Sequence, residues 1–195
     1  MLIRVDDFPH GGTGKPDRWE MMSHLMDNLD LPILLACVPA ETTEEDIAKL
    51  RSDPRIEIGV HGMLHERKDH SRPIADWLWF RDKFGEPKPT VYVAPYNDYD
   101  HDAIITSAEV GYDTITGGPE TNPRVTDWAK GEGLRLIWDN VGYGRSRELI
   151  SGLSPVELSC RECITLHLTW EFSEDANWLR ELHNRIGNRA QRWHL

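Results

Sequence analysis

Short apolar runs recur along the chain and alternate with stretches of helical period. The runs at 2–6, 33–38, 56–61, 90–95, 112–116, 134–138 and 164–169 have the length and β-branched content of strands. Helical patterns lie between most of them. Thr42 followed by Glu45 reads as a capping box opening a helix that runs to about Arg51. Ser71 opens another, with Pro73 in its first turn and Gly85 where it should stop. Asp100 can cap a third, which ends at Gly111. A last helix runs from about Glu174 toward the C-terminus. The stretch 116–133 is rich in Gly, Pro and Thr and reads as a loop over one end of the fold.

Strands alternating with helices imply a parallel sheet, either open and doubly wound or closed as a barrel. The strand faces separate the two. Ile56, Ile58 and Val60 share one face, and Glu57, Gly59 and His61 the other. Ile164, Leu166 and Leu168 oppose Thr165, His167 and Thr169; Ile3 and Val5 oppose Arg4 and Asp6. An open parallel sheet covered on both sides reads apolar on both faces. One apolar face and one polar or small face fits a barrel packed on helices outside and polar inside. At 195 residues the chain is short for a full eight-fold barrel, which takes about 250.

Composition narrows the function classes. Hydrophobic residues are 39% and charged residues 28%, as in a soluble globular protein. A net charge of -11 excludes the basic footprint that nucleic acid or an anionic membrane needs. No apolar run approaches the ~18 residues of a membrane helix. MLIRVDDFP enters a strand directly, with no secretory leader, and Cys37, Cys160 and Cys163 are an odd number. Reduced thiols and a cytoplasmic location are the expectation. The oligomeric state is not encoded in any pattern here.

The conspicuous polar residues fall at strand ends. Asp6 and Asp7 end the first strand, His61 the third, Pro95 and Tyr96 the fourth, and His167 lies near the end of the last. The carboxyl ends of parallel strands form the functional rim of such folds. Imidazole and carboxylate suit zinc and similar divalent ions, and three protein ligands leave positions for water. H-x-x-x-H, here HGMLH, puts His61 and His65 on one side of a turn; its weight comes from following a strand and from the Asp pair. Cys160 and Cys163 form a C-x-x-C without a second pair, so no zinc knuckle is expected. GGTGK lacks the strand spacing and ending of a phosphate loop, and His10 beside it reads as a surface-loop residue.

At these residues the chain resembles the polysaccharide deacetylase family, carbohydrate esterase family 4, with motifs in the family's order across nearly the whole length. VDDFP resembles the Asp–Asp motif, which implies Asp6 as base and Asp7 as metal ligand. HGMLH is similar to the His-x-x-x-His motif, implying His61 and His65 as ligands. YVAPYN resembles the motif that lines the groove and offers a backbone N–H to the oxyanion, implying Pro95 and Tyr96. LIWDN is similar to the Trp motif, implying Trp138, and ITLHL to the final motif, implying His167 as the acid. The resemblance implies a distorted (β/α)7 barrel, with residues 1–195 as a single catalytic domain. It also implies one divalent metal ion, zinc by donor type, and a saccharide or other small-molecule substrate. The expected activity is a metal-dependent deacetylase, a hydrolase of carbon–nitrogen bonds other than peptide bonds. The alternatives are a same-fold hydrolase of a non-sugar C–N bond and a non-catalytic carbohydrate-binding relative.

The chain departs from the pattern in three places. Val93 stands where the family's third motif carries an Arg that orients the base, and Phe8 where a Gly follows the Asp pair. Asp139 and Asp127 both compete as the carboxylate partner of His167. Arg4, two residues before Asp6, shares its strand face and is the candidate replacement for the arginine, with Glu57 placed to neutralise it from the side. The competing expectation for Arg4 is a side chain reaching solvent at the bottom of the barrel.

Overall fold

The computed structural model describes residues 1–9, 17–65, 73–117, 123–138, 150–168 and 176–191. Seven strands alternate with helices: β1 (Leu2–Phe8), α1 (Arg18–Leu29), β2 (Ile33–Cys37), α2 (Glu44–Ser52), β3 (Ile56–Val60), α3 (Pro73–Phe84), β4 (Val91–Val93) and α4 (His101–Val110). β5 (Thr114–Gly117), α5 (Pro123–Gly131), β6 (Arg135–Trp138), α6 (Pro155–Ser159), β7 (Cys163–His167) and α7 (Ala176–Ile186) follow. Strand order in the sheet is β6-β5-β4-β3-β2-β1-β7, and every pair is parallel. From β1 to β6 each strand is added on the same side of the last, without the reversal that marks a doubly wound sheet. The sheet therefore curls, as a distorted (β/α)7 half-barrel with β7 set beside β1.

The alternation of the strands divides two cores. Ile3, Val5, Ile33, Leu35, Val60, Ile115, Ile164 and Leu166 face the helices and pack with Met21, Leu25, Leu29, Ile47 and Leu182. The opposite face gathers Leu2, Leu34, Ala36, Val91, Val93, Ile137 and Cys163 in a smaller cluster. The interior is therefore not polar throughout, as the sequence pattern predicts. Its polar side chains, Arg4, Asp6, Thr116 and Thr165, are themselves buried. Apolar side chains plug the rest, since a barrel this narrow is filled by its own residues.

Element ends follow local chemistry. α2 opens on Thr43, whose hydroxyl accepts from the Asp46 N–H while Asp46 returns a bond to the Thr43 N–H. The capping box is thus one residue later than Thr42–Glu45; Thr42 instead buries its hydroxyl against the Val38 carbonyl. Asp100 caps α4, and Gly111 ends it at φ 99°. Gly85 follows α3 at φ 65°; Ser71 and Glu174 lie outside the described residues. The stretch 116–133 is not one loop, because α5 occupies Pro123–Gly131. No helix among the described residues is long and apolar enough to cross a membrane.

Candidate active site

The carboxyl ends of β1, β3 and β4 meet at one rim, where five residues adopt left-handed backbone: Asp7 (φ 70°), Gly62 (68°), His65 (53°), Tyr96 (57°) and Asn97 (55°). Four of the five are not glycine. Such conformations are sparsely populated for residues with a Cβ, and they cluster where a chain is bent to aim side chains. At Asp7 the bend reverses the alternation of β1: Asp6 stays on the interior face, and Asp7 turns toward the histidines.

Asp7, His61 and His65 bring one carboxylate oxygen and two ring nitrogens within 4.8 Å of one another. Asp7 Oδ1 is 3.3 Å from His61 Nε2 and 3.2 Å from His65 Nε2. Two ligands ~2.0–2.1 Å from a tetrahedral ion are separated by ~3.3–3.4 Å, so each Asp7–histidine pair has the spacing of a zinc-type site. His61 Nδ1 lies 2.9 Å from the Val93 carbonyl oxygen. With the proton on Nδ1 donated to that carbonyl, Nε2 presents its lone pair on the Asp7 side, as a metal ligand would. Val93 thus serves the rim through its backbone, while its side chain joins the interior apolar cluster. The Tyr96 ring stacks on His65 at 5.0 Å and stays 38% exposed.

Charge is balanced within the cluster. Burial pushes the Asp7 carboxyl up, but the His61 hydrogen bond and the charges of His61, His65 and His167 outweigh it and hold the group well below the usual carboxylate range. Burial pushes the His61 imidazolium down, and the Asp6 and Asp7 carboxylates outweigh that, raising its pKa.

Asp6 is buried beside this cluster. Its Oδ2 accepts from Arg4 Nη2 at 2.9 Å, and its Oδ1 has no hydrogen-bond partner among the described residues. Arg4 is completely buried, not at the solvent-facing bottom of the barrel. It also donates to Asn97 Oδ1 at 2.9 Å and to Thr116 Oγ1 at 3.0 Å. His167 pairs in register with Asp6 across β1 and β7 and is half-buried. Pro95 is buried at the start of the turn that presents Tyr96. Trp138 ends β6 next to Gly117. Asp139 and His10 lie outside the described residues, and Asp127 is exposed on α5. The sequence reading did not single out Asn97 or Thr116. An Asn after a Pro-Tyr turn was the available signal, since Asn tolerates left-handed backbone.

No protein-family model matches the chain, and no curated protein matches it in sequence. Solved structures do match in fold. A protein from Mycobacterium smegmatis assigned as a polysaccharide deacetylase aligns at a TM-score of 0.63 with 15% identity, covering 88% of this chain and 72% of its own. A family 4 carbohydrate esterase from Streptomyces lividans, solved with acetate, aligns at 0.56 with 12% identity, covering 98% and 90%. A 4-alpha-glucanotransferase from Thermococcus litoralis aligns at 0.60 with 13% identity over 98% of this chain but only 39% of its own. One fold thus carries more than one chemistry among these neighbours. In fold, the chain is similar to polysaccharide deacetylases and family 4 carbohydrate esterases, at 12–15% identity.

Proposed function

We propose that the chain is a metal-dependent hydrolase that removes an acetyl or similar acyl group from an N-acylated sugar or related amide. The observation that carries this reading is the convergence of Asp7, His61 and His65 on one point beside the buried Asp6 carboxylate. The donor spacing fits one divalent ion, zinc by ligand type, with positions left over for water and substrate. When bound there, that ion would polarise the amide carbonyl and acidify water. Asp6 takes the proton of the attacking water on Oδ1, the oxygen that Arg4 does not hold. His167, on the neighbouring strand, returns a proton to the departing amine nitrogen. Tyr96 and Pro95 line the substrate side, Trp138 is a further candidate for substrate contact, and the Tyr96 N–H is the candidate oxyanion donor. Asp139 is the candidate to orient His167. The products are a small carboxylic acid and a free amine.

Metal analysis and acid release from a panel of N-acetylated sugars and simple amides test this together. The purified protein should hold about one divalent ion, the stoichiometry of a three-ligand catalytic site. His61→Ala and His65→Ala should each lose it. Asp6→Asn and His167→Ala should keep the ion and lose ~10²–10⁴-fold in turnover. Full metal occupancy in both histidine variants removes the site, and unchanged turnover in Asp6→Asn removes the base.

A further inference from the structure

We propose that Asn97 is a positioning residue for Asp6, acting through Arg4, with Thr116 as its counterpart on the other arm of the guanidinium. This rests on Asp6 being the base. A buried arginine with one carboxylate partner can still swing on its long stem. Here the guanidinium meets acceptors from three separate places in the fold. Nη2 donates to Asp6 Oδ2 and Asn97 Oδ1, both at 2.9 Å, and Nη1 donates to Thr116 Oγ1 at 3.0 Å. Three acceptors define a plane, so the guanidinium is fixed, and with it the carboxylate it holds. The free oxygen of Asp6 is thereby left pointing in one direction.

The two supporting acceptors are neutral. Neither brings a charge of its own to compete with Asp6 for the guanidinium. The Asn97 side chain is aimed inward by its left-handed backbone, a conformation that Asn and Gly adopt most cheaply. The frame that carries both acceptors is itself pinned. The buried Tyr99 hydroxyl accepts from the Ala94 N–H at 3.0 Å and donates to the Thr116 carbonyl at 2.7 Å. That fixes the end of β4, where the Asn97 turn begins, against the end of β5. The turn also carries Tyr96, stacked on His65, so one short segment sets both the metal-side aromatic and the clamp on the base.

The test uses the full chain with zinc, and 4-nitrophenyl acetate and N-acetylated chito-oligosaccharides as probes. Asn97→Gly keeps the backbone and deletes the amide; Thr116→Val keeps the shape and deletes the hydroxyl; Thr116→Ser restores it. The first two should keep the metal and the melting transition, leave KM in place, and lower kcat on the order of 10–100-fold, the cost of a misplaced group. Thr116→Ser should recover most of that loss. In an Asp6→Asn background, Asn97→Gly should change nothing further, because its effect runs through that carboxylate. Nitrogen NMR of the guanidinium supplies a readout free of turnover. Slowly exchanging Arg4 Nη–H signals should be present in the wild type and in Thr116→Ser, and lost in Asn97→Gly and Thr116→Val. Unchanged kcat, an additive loss on top of Asp6→Asn, or unchanged Arg4 signals each overturn the proposal. Wild-type protein inert on both probes counts against the deacetylase reading, and the NMR comparison still decides whether Asn97 holds the clamp.

Discussion

A fully buried arginine is costly unless its charge is met, and Arg4 is met by Asp6 at 2.9 Å. Removing one member of such a pair strands the other. Arg4→Met should therefore destabilise the fold by about 3–5 kcal/mol while leaving Asp7, His61 and His65 in place. Urea unfolding with metal analysis of the same sample checks it; stability within error of the wild type would mean the pair contributes nothing net. The pairing was legible in the sequence, because residues two apart on a strand share a face. Its other partners were not. Asn97 and Thr116 reach Arg4 only through the order in which β1, β4 and β5 curl round the interior, and no local pattern encodes that. Val93 was legible as a departure from the family pattern, yet its carbonyl bond to His61 required the structure.

Among the elements, helix ends and strand entries carry the local information. Thr42–Glu45 and Thr43–Asp46 both match the capping pattern; the second forms, and the Thr42 hydroxyl is taken by the Val38 carbonyl. Thr43→Ala should cost about 1 kcal/mol, within the 0.5–2 range of such caps, measured by denaturant unfolding. At the entry to β3, Arg55 bonds Asp53 and Asp30 and so ties the ends of α1 and α2. Those Arg55 hydrogen bonds hold the Asp53 carboxyl below its ordinary value. Its contribution is therefore present at neutral pH and fades as acid protonates Asp53. Because the pair is solvated, Asp53→Asn should lose less than about 1 kcal/mol at pH 7, and the difference should vanish in acid. Unfolding both proteins across a pH series tests the sign. The loop expected over 116–133 shows where composition misleads. Gly, Pro and Thr suggested irregular backbone, but Pro123 sits at a helix start, where its missing N–H is no loss, and Val125 and Ala129 repeat on the buried face of α5.

For the molecule as a whole, the proposed metal site would link stability to metal. At a hundredfold excess over its Kd, zinc should stabilise the fold by about 2.7 kcal/mol, and His65→Ala should abolish that gain. Thermal melts with and without zinc and chelator read it directly; equal gains in both proteins would place the bound ion elsewhere. The strand faces announced a barrel rather than a doubly wound sheet, and the order of the strands agrees. The apolar half of the interior was hidden, since the polar face was read from β1, β3 and β7, whereas Leu34, Val91 and Ile137 come from β2, β4 and β6 and gather only when the sheet forms. The placing of β1 between β2 and β7 has a consequence for how the protein is made. Asp7, His61 and His65 come from the first third of the chain, whereas His167 reaches Asp6 only when β7 docks. Contacts so distant in sequence form slowly. A nascent chain therefore has Asp7, His61 and His65 emerged long before Asp6 and His167 can meet, and until β7 arrives one edge of the strand bearing Asp6 is an unpaired ladder open to any passing strand. On the proposed function, synthesis separates the chance to bind metal from the chance to react.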